Sequence, residues 1–157
     1  MFAVLALVAG CSAVPERMSV EEGKEWTSRK DYTDFEIRGQ ARTEEGAAVV
    51  IRFCQAAEQE GYEVLLANGP IDGNCRTGSL LHVRNLYRSL AADGEWFDFS
   101  VAVRGKNVGV RIGGVDVVCY TEPEEPWRTA EYQGQRIAPG RIGLAGIRGK
   151  LDFRGLR

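Results

Sequence analysis

Short runs that alternate apolar and polar residues, each closed by a glycine-containing turn, dominate this chain from residue 26 onward and fix what it can fold into. The clearest run is Phe97 to Arg104, with Phe97, Phe99, Val101 and Val103 on one side. Val108, Val110 and Ile112 alternate up to Gly113-Gly114, and Val115 to Tyr120 resumes the pattern, which is a hairpin signal. Phe35 to Arg38, Val49 to Phe53, Tyr62 to Leu66 behind a polar loop ending at Gly61, Arg141 to Leu144 and Lys150 to Arg154 repeat the theme. A sheet that is apolar on one face needs a second sheet to cover it. So many short strands therefore predict an all-β antiparallel sandwich. Only Asn85 to Ala92, with Leu86 and Leu90 four apart, invites a helical turn, and Trp26 and Trp96, at strand starts, are expected in the core.

Length and charge narrow the function. At 157 residues, with neither an internal repeat nor a change of composition, the chain is one domain. Twenty basic against 22 acidic residues leave a net charge of -2, so no basic excess exists to neutralise a phosphate backbone, and nucleic acid is excluded as the expected partner. A single histidine rules out a His-rich metal cage.

Met1 to Gly10 is an apolar and small-residue run shorter than a spanning helix requires, and it reads as the apolar region of a secretory signal. Its end, Val8-Ala9-Gly10-Cys11, resembles the lipobox of bacterial lipoproteins; that resemblance implies a lipid on Cys11, and Ser12 behind it resembles the outer-membrane sorting pattern. The competing reading is a buried strand ending in Gly-Cys. The expected organisation is a signal at 1–10, a tether at 11–24 and a folded domain at 25–157, exported to the bacterial cell envelope on the periplasmic face of a membrane that it touches only through Cys11. Of the remaining cysteines, Cys54, Cys75 and Cys119, either two pair in the oxidising compartment or all three are small core residues.

If the loop Gln55 to Gly61 joins two antiparallel strands symmetrically, Arg52 and Glu63 face each other opposite Ile51, Phe53, Val64 and Leu66. Glu63 is then a candidate general base, with Arg52 orienting it or stabilising negative charge. A plain cross-strand ion pair on a solvated sheet is the alternative. His82, the one imidazole, lies in an expected strand Gly78 to Val83, either as an acid or base or as a surface residue.

Several stretches, in order, carry a family resemblance. Glu25-Trp26-Thr27, then Asp31 to Arg38, then Gly46 to Phe53 with Gly61-Tyr62-Glu63-Val64, then Thr77-Gly78-Ser79-Leu80 and Gly94-Glu95-Trp96 lead to Gly114 to Pro123, Gly140 to Leu144 and Phe153 to Arg157. Together they resemble the 3-keto-disaccharide hydrolase family over residues 25 to 157. The resemblance implies a concanavalin A-like jelly-roll sandwich, a carbohydrate ligand or substrate, and cleavage of glycosides whose sugar carries a ketone at C3. It implies catalytic roles for Glu63 and Arg52, and leaves a divalent cation, supported by an acidic loop residue such as Asp72, as a possible cofactor. Trp127 and Tyr132 in the loop Thr121 to Pro139, with Tyr120 beside it and His82 nearby, are the candidates for holding the sugar, or the aromatics pin the loop to the sandwich. Leu65, Gly113, Cys119 and the Ala145-Gly146-Ile147 run stand where the family carries polar groups, which supports the alternative of a non-catalytic carbohydrate-binding lipoprotein.

Overall fold

The computed structural model describes residues 14–56 and 61–157; the signal segment and Cys11 lie outside the described residues. Ten strands form two antiparallel sheets: β1 (Arg17–Glu21), β2 (Glu25–Thr27), β3 (Phe35–Thr43), β4 (Ala48–Gln55), β5 (Tyr62–Leu66), β6 (Phe97–Arg104), β7 (Asn107–Ile112), β8 (Val115–Thr121), β9 (Arg141–Arg148) and β10 (Lys150–Arg154). One sheet has the order β1-β10-β3-β6-β7-β8 and the other β2-β9-β4-β5.

The alternation read from the sequence sets which side chains meet between the sheets. Phe97, Phe99, Val101 and Val103 of β6 and Val108, Val110 and Ile112 of β7 point inward and pack against Ile51 and Phe53 of β4, Val64 and Leu66 of β5 and Leu144 of β9. Phe53 joins Phe35 edge-on at 5.7 Å and stacks on Tyr62 at 5.6 Å. Such aromatic pairs add to the burial of their area.

The expected tether differs. Residues 17–21 form β1, an edge strand paired with β10 from Arg17↔Arg154 to Glu21↔Lys150. Met18 and Val20 face the core in a strand only five residues long, too short to show a period amid polar neighbours. Leu86 lies in irregular backbone and Leu90 in a bend, not in a helical turn. Nor is Gly78 to Val83 a regular strand. Residues 77 to 81 run along the free edge of β5, where the Leu65 amide donates to the Ser79 carbonyl at 2.9 Å and the Leu81 amide to the Glu63 carbonyl at 2.9 Å, but only Leu80 forms a bridge. Positive φ at Gly78 (96°) and His82 (66°) turns the backbone away before a ladder can form. Both tryptophans are half-buried: Trp26 packs against the core as expected, whereas Trp96 does not join it and lies against the guanidinium groups of Arg42 and Arg154, at 4.8 and 4.0 Å.

This edge-covering segment buries a second apolar cluster on the outer face of the four-stranded sheet, made of Ala48, Val50, Leu65, Ala67, Cys75 and Ala145. Asn68 ties it down, donating to Thr43 Oγ1 at 2.8 Å and accepting from Thr77 at 2.5 Å and from Ser89 at 2.9 Å. Cys54, Cys75 and Cys119 are all unpaired. The small-core reading holds for Cys54 and Cys75, which are buried, and fails for Cys119, which is exposed on β8.

Candidate functional site

The β4–β5 register places Arg52 directly opposite Glu63, as the loop symmetry predicts. Ile51, Phe53, Val64 and Leu66 point into the core, so Arg52 and Glu63 stand on the outer face of the four-stranded sheet. Arg52 Nε lies 3.8 Å from Glu63 Oε2, and Arg52 Nη1 lies 3.5 Å from both carboxylate oxygens of Glu25 on β2. Glu25 reaches Arg52 across β9 because the intervening residue is Gly143: a Cβ there would stand 3.2 Å from Glu25 Oε1. The guanidinium thus sits between two carboxylates, all three side chains being 28 to 41% exposed.

Two loops close on Glu63 from the free edge of β5. The Leu81 backbone is bonded to that of Glu63, which brings His82 alongside. From the Pro-rich loop, Tyr132 stacks on His82 with ring centroids 3.8 Å apart, and Gln135 donates to the Leu81 carbonyl at 3.3 Å. Desolvation holds the Tyr132 hydroxyl above the ordinary tyrosine range, with smaller contributions from the charges of Glu131 and Glu63. Gln135 is buried and its Oε1 has no partner among the described residues.

A buried polar knot anchors that loop. Glu122, 4% exposed, accepts from the Tyr62 hydroxyl, from the Ile137 amide at 2.8 Å and from Lys106 Nζ at 3.3 Å. Arg128 donates to both Tyr62 Oη (3.0 Å) and Tyr120 Oη (2.9 Å). Burial, then the hydrogen bond to Glu122, pushes the Tyr62 hydroxyl far up, so it stays protonated as the donor.

Of the residues expected at the site, Arg52, Glu63, His82 and Tyr132 come together. Tyr120 does not: it is 6% exposed in β8, with its ring against Tyr62 at 6.3 Å and its hydroxyl taken by Arg128, so it pins the loop. Trp127, 82% exposed, stands in solvent on the same loop. Glu25 and Gln135 escaped the sequence reading. Strand parity carried a signal for Glu25, since the inward lean of Trp26 turns its neighbours out; Gln135 sits in an irregular loop with no period to read.

Among the described residues no group of three or more His, Cys, Asp and Glu side chains is placed to hold a metal ion, and Arg52 already supplies the positive charge between Glu25 and Glu63. The described residues therefore do not fit a divalent cation at Glu63; residues 57–60 and the side chain of Asp72 lie outside the described part.

Solved structures with this sandwich include two candidate glycosyl hydrolases from Parabacteroides distasonis. One has a TM-score of 0.77 at 14% identity, covering 89% of this chain and 78% of that one. The other has a TM-score of 0.73 at 16% identity, covering 92% and 86%. The carbohydrate-binding module CBM66 from Bacillus subtilis follows the same fold at a TM-score of 0.62 and 10% identity, over 88% of this chain and 83% of that one. No curated protein matches the chain. The model of the 3-keto-alpha-glucoside-1,2-lyase-like domain matches residues 7–157, nearly the whole sequence and all of both sheets, and the chain belongs to that family.

Proposed function

We propose that this protein cleaves glycosides whose sugar carries a ketone at C3, with Glu63 as the base. The observation that carries this reading is the clamp at Glu63: a carboxylate fixed opposite Arg52 on an accessible sheet face, with Tyr132 and His82 at its rim. A C3 carbonyl acidifies the C2 hydrogen, so a carboxylate can abstract that proton while the C2–H electron pair moves into an enolate. Arg52 stabilises the negative charge on the enolate oxygen. The enolate then expels the substituent at C1: the C1–O bond breaks, its electrons leave with the oxygen, and that oxygen takes a proton from water, to which Glu63 returns the one it abstracted. Water adding across the resulting C1–C2 double bond completes net hydrolysis. Incubation with a 3-keto-glucoside carrying a chromogenic aglycone is expected to release the chromophore, and no release above the buffer rate overturns the assignment.

A second reading, carbohydrate binding without turnover, is favoured by one observation. The sheet face beside Arg52 and Glu63 is filled by Val50, Leu65 and Ala145 under the covering loop, so that fewer polar groups remain to orient a sugar. Calorimetric binding of a disaccharide with no product formed would select it.

The lipid anchor belongs to the same proposal. Cys11 is the acceptor and the envelope the location, on the strength of the Val8-Ala9-Gly10-Cys11 sequence. Bacteria fed a labelled fatty acid are expected to label the wild-type chain and not Cys11→Ser; label retained in the variant removes the anchor.

A further inference from the structure

The six-stranded sheet carries an open cleft of about 480 Å³ on its outer face, on a different sheet from Glu63. Its volume lies in the range of small-molecule sites. Five arginines line it, Arg17, Arg38, Arg111, Arg154 and Arg157, against three carboxylates. Strand parity alone puts polar groups there; what sets this face apart is how the cations are held.

Arg154 is fixed on two sides. Its guanidinium carbon lies over the Trp96 ring, 4.0 Å from the centroid, and its Nε donates to Gln40 Oε1 at 2.7 Å. Gln40 is oriented in turn, because its Nε2 donates to Asp98 Oδ1 at 3.1 Å. Both terminal nitrogens of Arg154 have no hydrogen-bond partner among the described residues, which leaves a preorganised fork of the kind that grips a carboxylate through two parallel bonds. Arg38 comes no closer than 4.0 Å to Glu36, too far for a hydrogen bond, whereas Arg111 is already engaged by Asp116 at 2.8 Å.

We infer that this cleft binds a saccharide bearing a carboxylate. Arg154, with Arg17 and Arg38 beside it, takes the carboxylate, and Asp98, Glu36 and Ser100 take the hydroxyls. The mixture of signs selects this class of ligand. A polyphosphate or an anionic headgroup has no donors to offer Glu36 and Asp98, while a sugar hydroxyl donates to such acceptors. Recognition does not rest on ring stacking, since the one aromatic residue lining the cleft, Phe99, is 3% exposed.

The test is calorimetric titration with disaccharides containing glucuronate or galacturonate, with their neutral counterparts and with inorganic sulfate. An acidic disaccharide is expected to bind at least about tenfold more tightly than its neutral counterpart and than sulfate, and Arg154→Gln is expected to lose about tenfold or more of that affinity. Arg17→Gln, on another strand, carries the test if the Arg154 variant does not fold. Equal affinity for acidic and neutral sugars, sulfate binding as tightly as the disaccharide, wild-type binding by the folded variants, or no binding of either acidic disaccharide overturns the site. None of these outcomes depends on turnover at Glu63.

Discussion

Glu122→Ala is expected to destabilise the protein by about 3 to 5 kcal/mol, the usual cost of removing one partner from a buried ionic network. The loss is large because all three groups that face Glu122 are donors: the Tyr62 hydroxyl, the Ile137 amide and Lys106. Tyr62 is fully buried and would be left with only Arg128, another donor, against its hydroxyl. Glu122→Gln keeps one acceptor oxygen but turns an amide NH2 toward donors, so its effect should be intermediate. Urea unfolding reads both, as a fall in midpoint at constant slope. A loss under about 1 kcal/mol for the alanine variant would show that the knot does not hold the loop. Tyr62 adds a pH signature. Its hydroxyl is raised in the fold, so the folded state keeps a proton that the unfolded chain gives up near pH ~10. That contribution is fully present below pH ~10 and is lost as pH rises further. Tyr62→Phe should therefore flatten the fall in unfolding free energy above pH ~10; an unchanged slope would contradict the shift.

Strand parity explains why the sandwich was legible. In β6 every second residue from Phe97 to Val103 is apolar, and the core needs no more information than that. The same logic fixed Arg52 opposite Glu63, because a symmetrical hairpin sets its own register. β1 was missed because a five-residue edge strand offers two inward residues and three polar ones. The expected strand Gly78 to Val83 does not form because its backbone satisfies itself against β5 while two positive-φ residues prevent a ladder, and His82, unlike glycine, carries no sequence mark of that conformation.

The candidate site was half legible for a related reason. Residues on strands announce their face and the aromatic Tyr132 announces itself by type, whereas Gln135, in an irregular loop, carries neither signal. Tyr132 meets His82 and Gln135 bonds the Leu81 carbonyl because Glu122 and Arg128 fasten the loop from beneath, and that fastening joins residues up to 66 positions apart in sequence. Tyr120 shows the converse. It sits on a strand, and the β-bulge between Val110 and Arg111 in the β7–β8 pairing resets which residues of β8 face inward, turning Val118 and Tyr120 toward the core.

Glu63→Gln is expected to lower kcat for 3-keto-glycoside cleavage by about 10²- to 10⁴-fold, the range that positioned proton transfer contributes, with little change in KM. The substitution keeps the shape of the side chain and removes its basicity. The fold should barely register it: the Arg52–Glu63 pair is 3.8 Å apart with both side chains partly exposed, a class of contact that contributes about 0 to 1 kcal/mol, and Arg52 keeps Glu25. A loss of rate at unchanged melting temperature therefore isolates chemistry from stability. Two comparisons sharpen it. His82→Ala removes the ring that stacks on Tyr132 without touching Glu63, so a rim role predicts a rise in KM larger than any fall in kcat. Exchange of the C2 hydrogen with solvent deuterium reports the proton step itself, and it should vanish in the Glu63 variant even with a substrate whose C1 substituent leaves slowly. Full exchange and full kcat in Glu63→Gln would assign the base to another group, and the carboxylate at 63 would then be only the cross-strand partner of Arg52.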